Sequence, residues 1–249
     1  MHWFRMGFSA VLLGVVLACS APPTSAPRES GPAVDPAEAA TITATVRFEG
    51  TVPAPTMMRL DGDPKCVTEN GAGERADESL QVQNGALQNA FVYIKDGVSG
   101  RVFAVPTEPV VLDQDKCRYT PRVLGVRVGQ PLQIRNSDPL LHNVRSQAEI
   151  NQPFNMSTPV EGMKFDHVFA TREIMVPFKC DVHAWMHAYV GVLEHPYFGT
   201  TTAEGRVVLS NVPPGSYTIE AWHETLGTKT EQVAVAAKES KDVAFTFAR

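Results

Sequence analysis

Cys180, His183 and Met186 lie in the stretch FKCDVHAWMHAYVGV, Phe178 to Val192, at the spacing C-x2-H-x2-M. A thiolate, an imidazole and a thioether are soft-to-intermediate donors of the kind that suit copper. The spacing lets one tight loop present all three to a single point. A trigonal copper plane of two imidazoles and a thiolate, with a long axial methionine, needs one more histidine from another strand. His142, in IRNSDPLLHNV, is the candidate: it lies just past a strand end, after an Asn-Ser-Asp-Pro turn. Each donor alone has a plainer reading. Cys180 suits a buried structural thiol, His142 a loop histidine and Met186 core filler. His187 follows Met186 directly and is either a replacement ligand or a residue of the surface or site margin; the second is the reading taken here.

These donors need strands to position them. EIMVPFKC, Glu173 to Cys180, places Ile174, Val176, Phe178 and Cys180 at period two, so Cys180 is expected to point where the core residues point. Pro177, at the opposite parity, argues for an edge or a bulge. TITATVRF (Thr41 to Phe48) alternates as a half-buried strand, and LQNAFVYI (Leu87 to Ile94) reads as another. VLGVRV and PLQIRN flank Gly129-Gln130, as two strands joined by a tight turn. No long amphipathic helix is apparent, and the chain reads as all-β. The block from Thr202 to Arg249, of about 50 residues, is small for an independent sandwich. It is expected to take a strand from elsewhere, with Thr41 to Phe48 as candidate, or to pack on the first domain. Trp222-His223-Glu224 falls on an alternating strand whose neighbours face opposite sides, so it reads as structural; His195 also reads as a packing residue, and His167 has no evident partner.

The chain has 249 residues, 43% hydrophobic, with a net charge of −5 and no long run of either sign. A basic face for nucleic acid is not expected. Residues 1–18 read as a signal peptide: Arg5, then an apolar run from Phe8 to Ala18 too short to span a bilayer. Ala18-Cys19-Ser20 looks like a lipoprotein signal with Cys19 as the lipid-bearing residue, the alternative being an ordinary cleaved signal. Residues 19–39, rich in Pro, Ser and Ala, read as a flexible tether. The expected location is therefore exported, in the periplasm or cell envelope and lipid-anchored. Cys66 and Cys117 sit in polar, turn-like surroundings, and an oxidising compartment favours a disulfide between them over two separate thiols or another pairing. Cys180 is then left unpaired.

The run RYTPRVLGVRVGQPLQIRNSDPLLHNV, followed by KCDVHAWM, resembles the cupredoxin family of blue-copper proteins, and its short C-x2-H-x2-M loop resembles that of amicyanin. The resemblance covers about Leu87 to His195. It implies a Greek-key β-sandwich over residues 40–197 holding one type 1 copper ion. His142, Cys180 and His183 would be equatorial ligands and Met186 the weak axial one. Asn143 would tie the two ligand loops together, with Phe178 and Trp185 supplying apolar surroundings. It also implies that the ring edge of His183 faces an apolar surface through which electrons pass. EGRVVLSNVPPGSYTIEAWHE resembles a carboxypeptidase-regulatory or transthyretin-like β-sandwich, expected over 198–249. Together the halves resemble exported plastocyanin-like proteins sometimes labelled methylamine-utilisation proteins. The implied function is one-electron transfer with an extracytoplasmic redox partner protein. Copper carriage or buffering, and a structural or glycan-binding module, are the alternatives. An enzyme is not expected: the chain has no His-x-His pairs of a multicopper oxidase and no Cys-x-x-Cys-His haem site.

Overall fold

The computed structural model describes residues 1–2, 35–98 and 100–249. The expected signal sequence beyond its first two residues, Cys19 and the tether up to residue 34 lie outside the described residues. No described helix is long and apolar enough to cross a membrane.

The strands in chain order are β1 (Ala40–Glu49), β2 (Met57–Arg59), β3 (Glu74–Ala76), β4 (Val82–Gln83), β5 (Ala86–Leu87), β6 (Phe91–Asp96), β7 (Val110–Gln114), β8 (Tyr119–Thr120), β9 (Val123–Arg127) and β10 (Pro131–Asn136). They continue with β11 (His142–Ser146), β12 (Asn155–Thr158), β13 (Lys164–Val168), β14 (Glu173–Lys179), β15 (His187–Leu193), β16 (Phe198–Thr200), β17 (Arg206–Val212), β18 (Gly215–His223), β19 (Gly227–Val235) and β20 (Ser240–Ala248). One short helix, α1 (Pro64–Asn70), lies between β2 and β3.

The strands group into two sandwiches. In one, the sheet β13-β10-β7-β8 and the sheet β12-β11-β14-β15-β9 enclose a core that includes Leu112, Ile134, Val144, Phe178 and Val190. In the other, β17-β1-β5-β4, with β20 beside β1, and β16-β6-β18-β19 enclose Ile42, Val46, Val92, Ile219 and Phe245. The alternation of β1 places Ala40, Ile42, Ala44, Val46 and Phe48 in that second core. β1 pairs antiparallel with β17 and parallel with β20, so the C-terminal block does take the Thr41–Phe48 strand. β6 pairs with β16 and β18. The expected division at 197/198 therefore does not follow the sheets: β1 and β6 pair with strands of residues 198–248, residues 110–193 form the sandwich between them, and β2 and β3 pair with each other. Alternation reports which face is buried; it carries no information about which strand lies alongside.

Two local expectations also change. β9 and β10 are strands, and Gly129 turns between them at φ +83°, but they are not a hairpin: β9 joins β15 while β10 joins β7 and β13. The turn passes from one sheet to the other. In β14 the ladder slips between Glu173 and Val176, and Met175 adopts φ +59°. This bulge reverses parity, so Val176, Phe178 and Cys180 share the core while Ile174 packs with Met175 outside it.

The sandwiches press together through glycine. Gly125 and Gly191 are partners in the β9–β15 ladder. A Cβ on Gly125 would meet Phe198 Cε2 at 2.3 Å, and one on Gly191 would meet Phe91 Cζ at 2.6 Å. The bare backbone is a floor for two rings that stack at 5.8 Å.

His195 and His223 are buried in the second sandwich and its margin. His195 Nδ1 accepts from the Tyr197 N–H and the ring also bonds the Ile94 backbone; His223 Nδ1 accepts from the Thr225 N–H. Burial holds both rings neutral down to about 4. The unfolded chain protonates them near 6.5, so it binds more protons in that window, and stability falls as pH drops from 6.5 to 4. Urea unfolding of the metal-free protein should lose on the order of 3 kcal/mol per ring across the window. The His195→Gln/His223→Gln protein should show a flatter profile, and an equally steep one would refute this assignment.

Candidate metal centre

The hairpin β14–β15 carries three of the four expected ligands. Cys180 follows the last residue of β14, Met186 precedes the first of β15, and His183 is between them. The loop closes on itself: Cys180 N–H donates to the Met186 carbonyl at 3.3 Å and Met186 N–H to the His183 carbonyl at 3.0 Å. His142 opens β11, which pairs with β14 at Arg145–Lys179 and Ser146–Phe178. That pairing sets the first histidine beside the cysteine loop. His142, Cys180 and His183 come together with their donor atoms all within 4.8 Å of one another, and Met186 is buried in the same core cluster as Cys180.

Asn143 links the two loops. Its Oδ1 accepts from the Asp181 N–H, and its Nδ2 donates to the Asp181 carboxylate at 3.3 Å and to Asn155 Oδ1. Its own backbone N–H bonds the Cys180 sulfur. Phe178 is fully buried against Phe154 and Phe169. Trp185 is half-buried, lies 5.1 Å from the His183 ring and donates its indole N–H to the Cys117 carbonyl at 3.0 Å.

Two carboxylates that the sequence reading did not single out orient the histidines. Asp138 Oδ2 lies 2.8 Å from His142 Nε2, and Asp63 Oδ2 lies 3.3 Å from His183 Nε2. A proton on Nε2 of either ring would be held by its carboxylate, which would free Nδ1 to bind a metal. The two Nδ1 atoms face each other at 3.0 Å, and His183 Nδ1 lies 3.7 Å from Cys180 Sγ. With the ring protons on Nε2, the two Nδ1 lone pairs and the Cys180 sulfur could share one cation. Bonds of about 2.0 Å to nitrogen and 2.3 Å to sulfur, as a first-row ion such as zinc makes, reach across these separations. The donor set therefore fits a metal ion. Asp138 had one sequence clue, its place four residues before His142. Asp63 had none, since 120 positions separate it from His183.

The electrostatics agree. Burial alone would raise the Cys180 thiol, but bonds from both histidine rings and from the Asn143 and His183 N–H groups lower it to about 6. Burial alone would lower His142, but Asp138 and Cys180 raise it. Asp138 is itself held low, against its burial, by His142 and by the N–H groups of Cys117 and Lys116.

Cys66 and Cys117 form a disulfide, as expected. Their sulfurs also lie near His183, and that of Cys117 near His142 and Asp138. Bonded to each other they offer no thiolate, so among the described residues only His142–Cys180–His183 presents three free donors. The disulfide ties α1 over the site. Asp63 caps the helix, accepting from the Lys65 N–H, and Lys65 Nζ reaches the Pro139 carbonyl. The ring edge of His183 is therefore not at a surface: His183 is 1% exposed and its outer nitrogen faces a carboxylate. This corrects the open apolar edge that the family resemblance implies. Leu141 and Val182, beside the ligands, are exposed all the same. His187 is no part of the donor cluster. It opens β15 opposite Lys179, with its pKa lowered by burial and by Arg122 and Lys179. His167 stacks on Phe154 at 4.2 Å. Glu224 binds the Arg122 guanidinium through both oxygens, in a structural role.

No family model matches the chain, and no curated protein does. Among solved structures, a purple cupredoxin from Nitrosopumilus maritimus aligns at 28% identity over 30% of this chain and 81% of its own, with a TM-score of 0.27. A methionine-to-alanine variant of amicyanin, in its Cu(I) form, aligns at 23% identity over 41% of this chain and 97% of its own, with a TM-score of 0.31. A copper-containing nitrite reductase from Thermus scotoductus SA-01 aligns at 20% identity over 41% of this chain, with a TM-score of 0.31; the match spans 25% of that enzyme's chain. The superpositions are partial, and no residue role is taken from them.

Replacing Asp138 by Asn removes the charge that orients His142. Competition against a chelator should show copper affinity falling about 10–100-fold, the usual cost of losing such a partner. An unchanged affinity would show that Asp138 serves only the fold.

Proposed function

We propose that this chain binds one copper ion through His142, Cys180 and His183, with Met186 as a weak axial ligand, and transfers single electrons. The observation that carries the reading is the convergence of three buried, unpaired donors whose histidines are both turned inward by carboxylates. Thiolate and thioether beside two imidazoles favour copper over the harder ions. Bound there, copper would supply a one-electron couple between its two oxidation states.

The chain's own residues suit such a couple. The bonds around the Cys180 sulfur keep it ready to act as a thiolate. Asp138 and Asp63 fix the faces of the two rings, and the Cys180–Met186 and Met186–His183 backbone bonds fix the loop. Ligands held this firmly change little as charge changes, which keeps rearrangement small. The buried position excludes water and competing ligands. The Cys66–Cys117 disulfide supports an oxidising compartment, and hence an exported protein with a redox partner outside the cytoplasm. The burial of all four proposed ligands supports an electron carrier.

Purified protein given one equivalent of copper(II) should show an intense visible absorption from thiolate-to-copper charge transfer and a reversible one-electron couple. Cys180→Ser should lose the absorption while its circular dichroism stays unchanged. A wild-type protein that binds copper without that absorption would count decisively against this function.

A further inference from the structure

A buried redox centre needs a path to its partners, and here the usual short path is closed. His183 is covered by α1 and faces Asp63, while His142 faces Asp138, itself 1% exposed. One side chain in contact with the ligand cluster does extend outward. The indole of Trp185 lies 5.1 Å from the His183 ring, tilted by 42°, a spacing of direct aromatic contact. Its N–H is fixed on the Cys117 carbonyl, so the disulfide-bearing segment holds the ring in place. Trp185 is half-buried and lines an open groove of about 560 Å³ together with Met58, Lys179, His187 and Tyr189. Tyr189 in turn lies 5.0 Å from Trp222 of the second sandwich.

We propose that Trp185 is the electron conduit of this protein, linking the metal site to the groove. The inference rests on the copper reading above. Tunnelling weakens steeply with any gap between donor and acceptor, and rings in van der Waals contact leave none. Leu141 and Val182 are exposed close to the ligands, but neither carries a π system. In the step itself, an outer-sphere reductant at the groove loses one electron, and copper(II) bound at the site becomes copper(I). No bond forms or breaks, and Trp185 ends unchanged.

The test uses the copper-loaded protein and hexaammineruthenium(II) as reductant, following loss of the visible absorption by stopped flow. Trp185→Leu should slow reduction severalfold with the absorption maximum and reduction potential unchanged. Trp185→Phe, which keeps a ring, should recover most of the wild-type rate, and Val182→Ser should match the wild type. A merely structural role for Trp185 would move the spectrum and potential along with the rate, and that result overturns the proposal. So does a Trp185→Leu rate equal to wild type, or a slowing confined to Val182→Ser. A wild-type protein with no reversible couple overturns the copper reading and the conduit together; a normal couple with unaltered rates overturns the conduit alone.

Discussion

Everything at the site depends on two imidazoles being turned the same way, with Nε2 outward to a carboxylate and Nδ1 inward. A histidine on a loop has two ring nitrogens and a freely rotating χ2, so its position alone does not say which nitrogen a metal meets. Asp138 and Asp63 remove that freedom. Both carboxylates are governed by one covalent feature. The N–H groups of Lys116 and Cys117 hold Asp138, and Cys66 belongs to the helix that Asp63 caps. The Cys66–Cys117 disulfide thus joins the segment that orients His142 to the segment that orients His183. This buried cross-link is part of the frame of the donor cluster, and it also anchors Trp185 through the Cys117 carbonyl.

The second constraint comes from behind the ligand hairpin. β15 runs from the site to Gly191, where Phe91 presses on bare backbone, and its neighbour β9 receives Phe198 at Gly125. The bulge at Met175 sends Ile174 and Met175 to this same face while Val176, Phe178 and Cys180 stay in the site's core. β14 and β15 are therefore clamped between two hydrophobic layers, one made by each sandwich. Close packing transmits displacement, since interiors have few voids to absorb it. A side chain added at either glycine would have to push rings or strands apart, and the ligand loop is the far end of the same hairpin.

Much of this was legible in the sequence, because it follows from local periodicity and donor chemistry. The burial alternation of β1, the inward parity of Cys180 and the C-x2-H-x2-M loop rest on residue type and short spacing, and the Cys66–Cys117 bridge on cysteine count and an oxidising compartment. The illegible parts are long-range. That β6 lies between β16 and β18, and that β9 and β10 part at Gly129, are matters of partner choice, to which period two is blind. Pro177 signalled irregularity in β14, but the irregularity sits two residues earlier, at Met175, a non-glycine residue held at positive φ by the tertiary packing on both sides. Asp63 is the N-cap of α1, accepting from the Lys65 N–H. Its second oxygen serves His183 only because the disulfide brings the helix there.

The charge balance at the site is set by buried acids. Cys180, poised near 6, and Asp138, held low although 1% exposed, are buried anions, with Asp63 close behind. No lysine or arginine bonds any of these three side chains among the described residues; their partners are histidines and backbone N–H groups. Buried anions without a cation are costly. Without metal the available counter-charge is a proton, and this is why His142 is raised against the pull of its own burial. A metal ion held by His142, Cys180 and His183 would supply that counter-charge instead. Buried acids, a thiol and two imidazoles thus meet at one point in the fold, with His183 covered and Trp185 half-buried beside it.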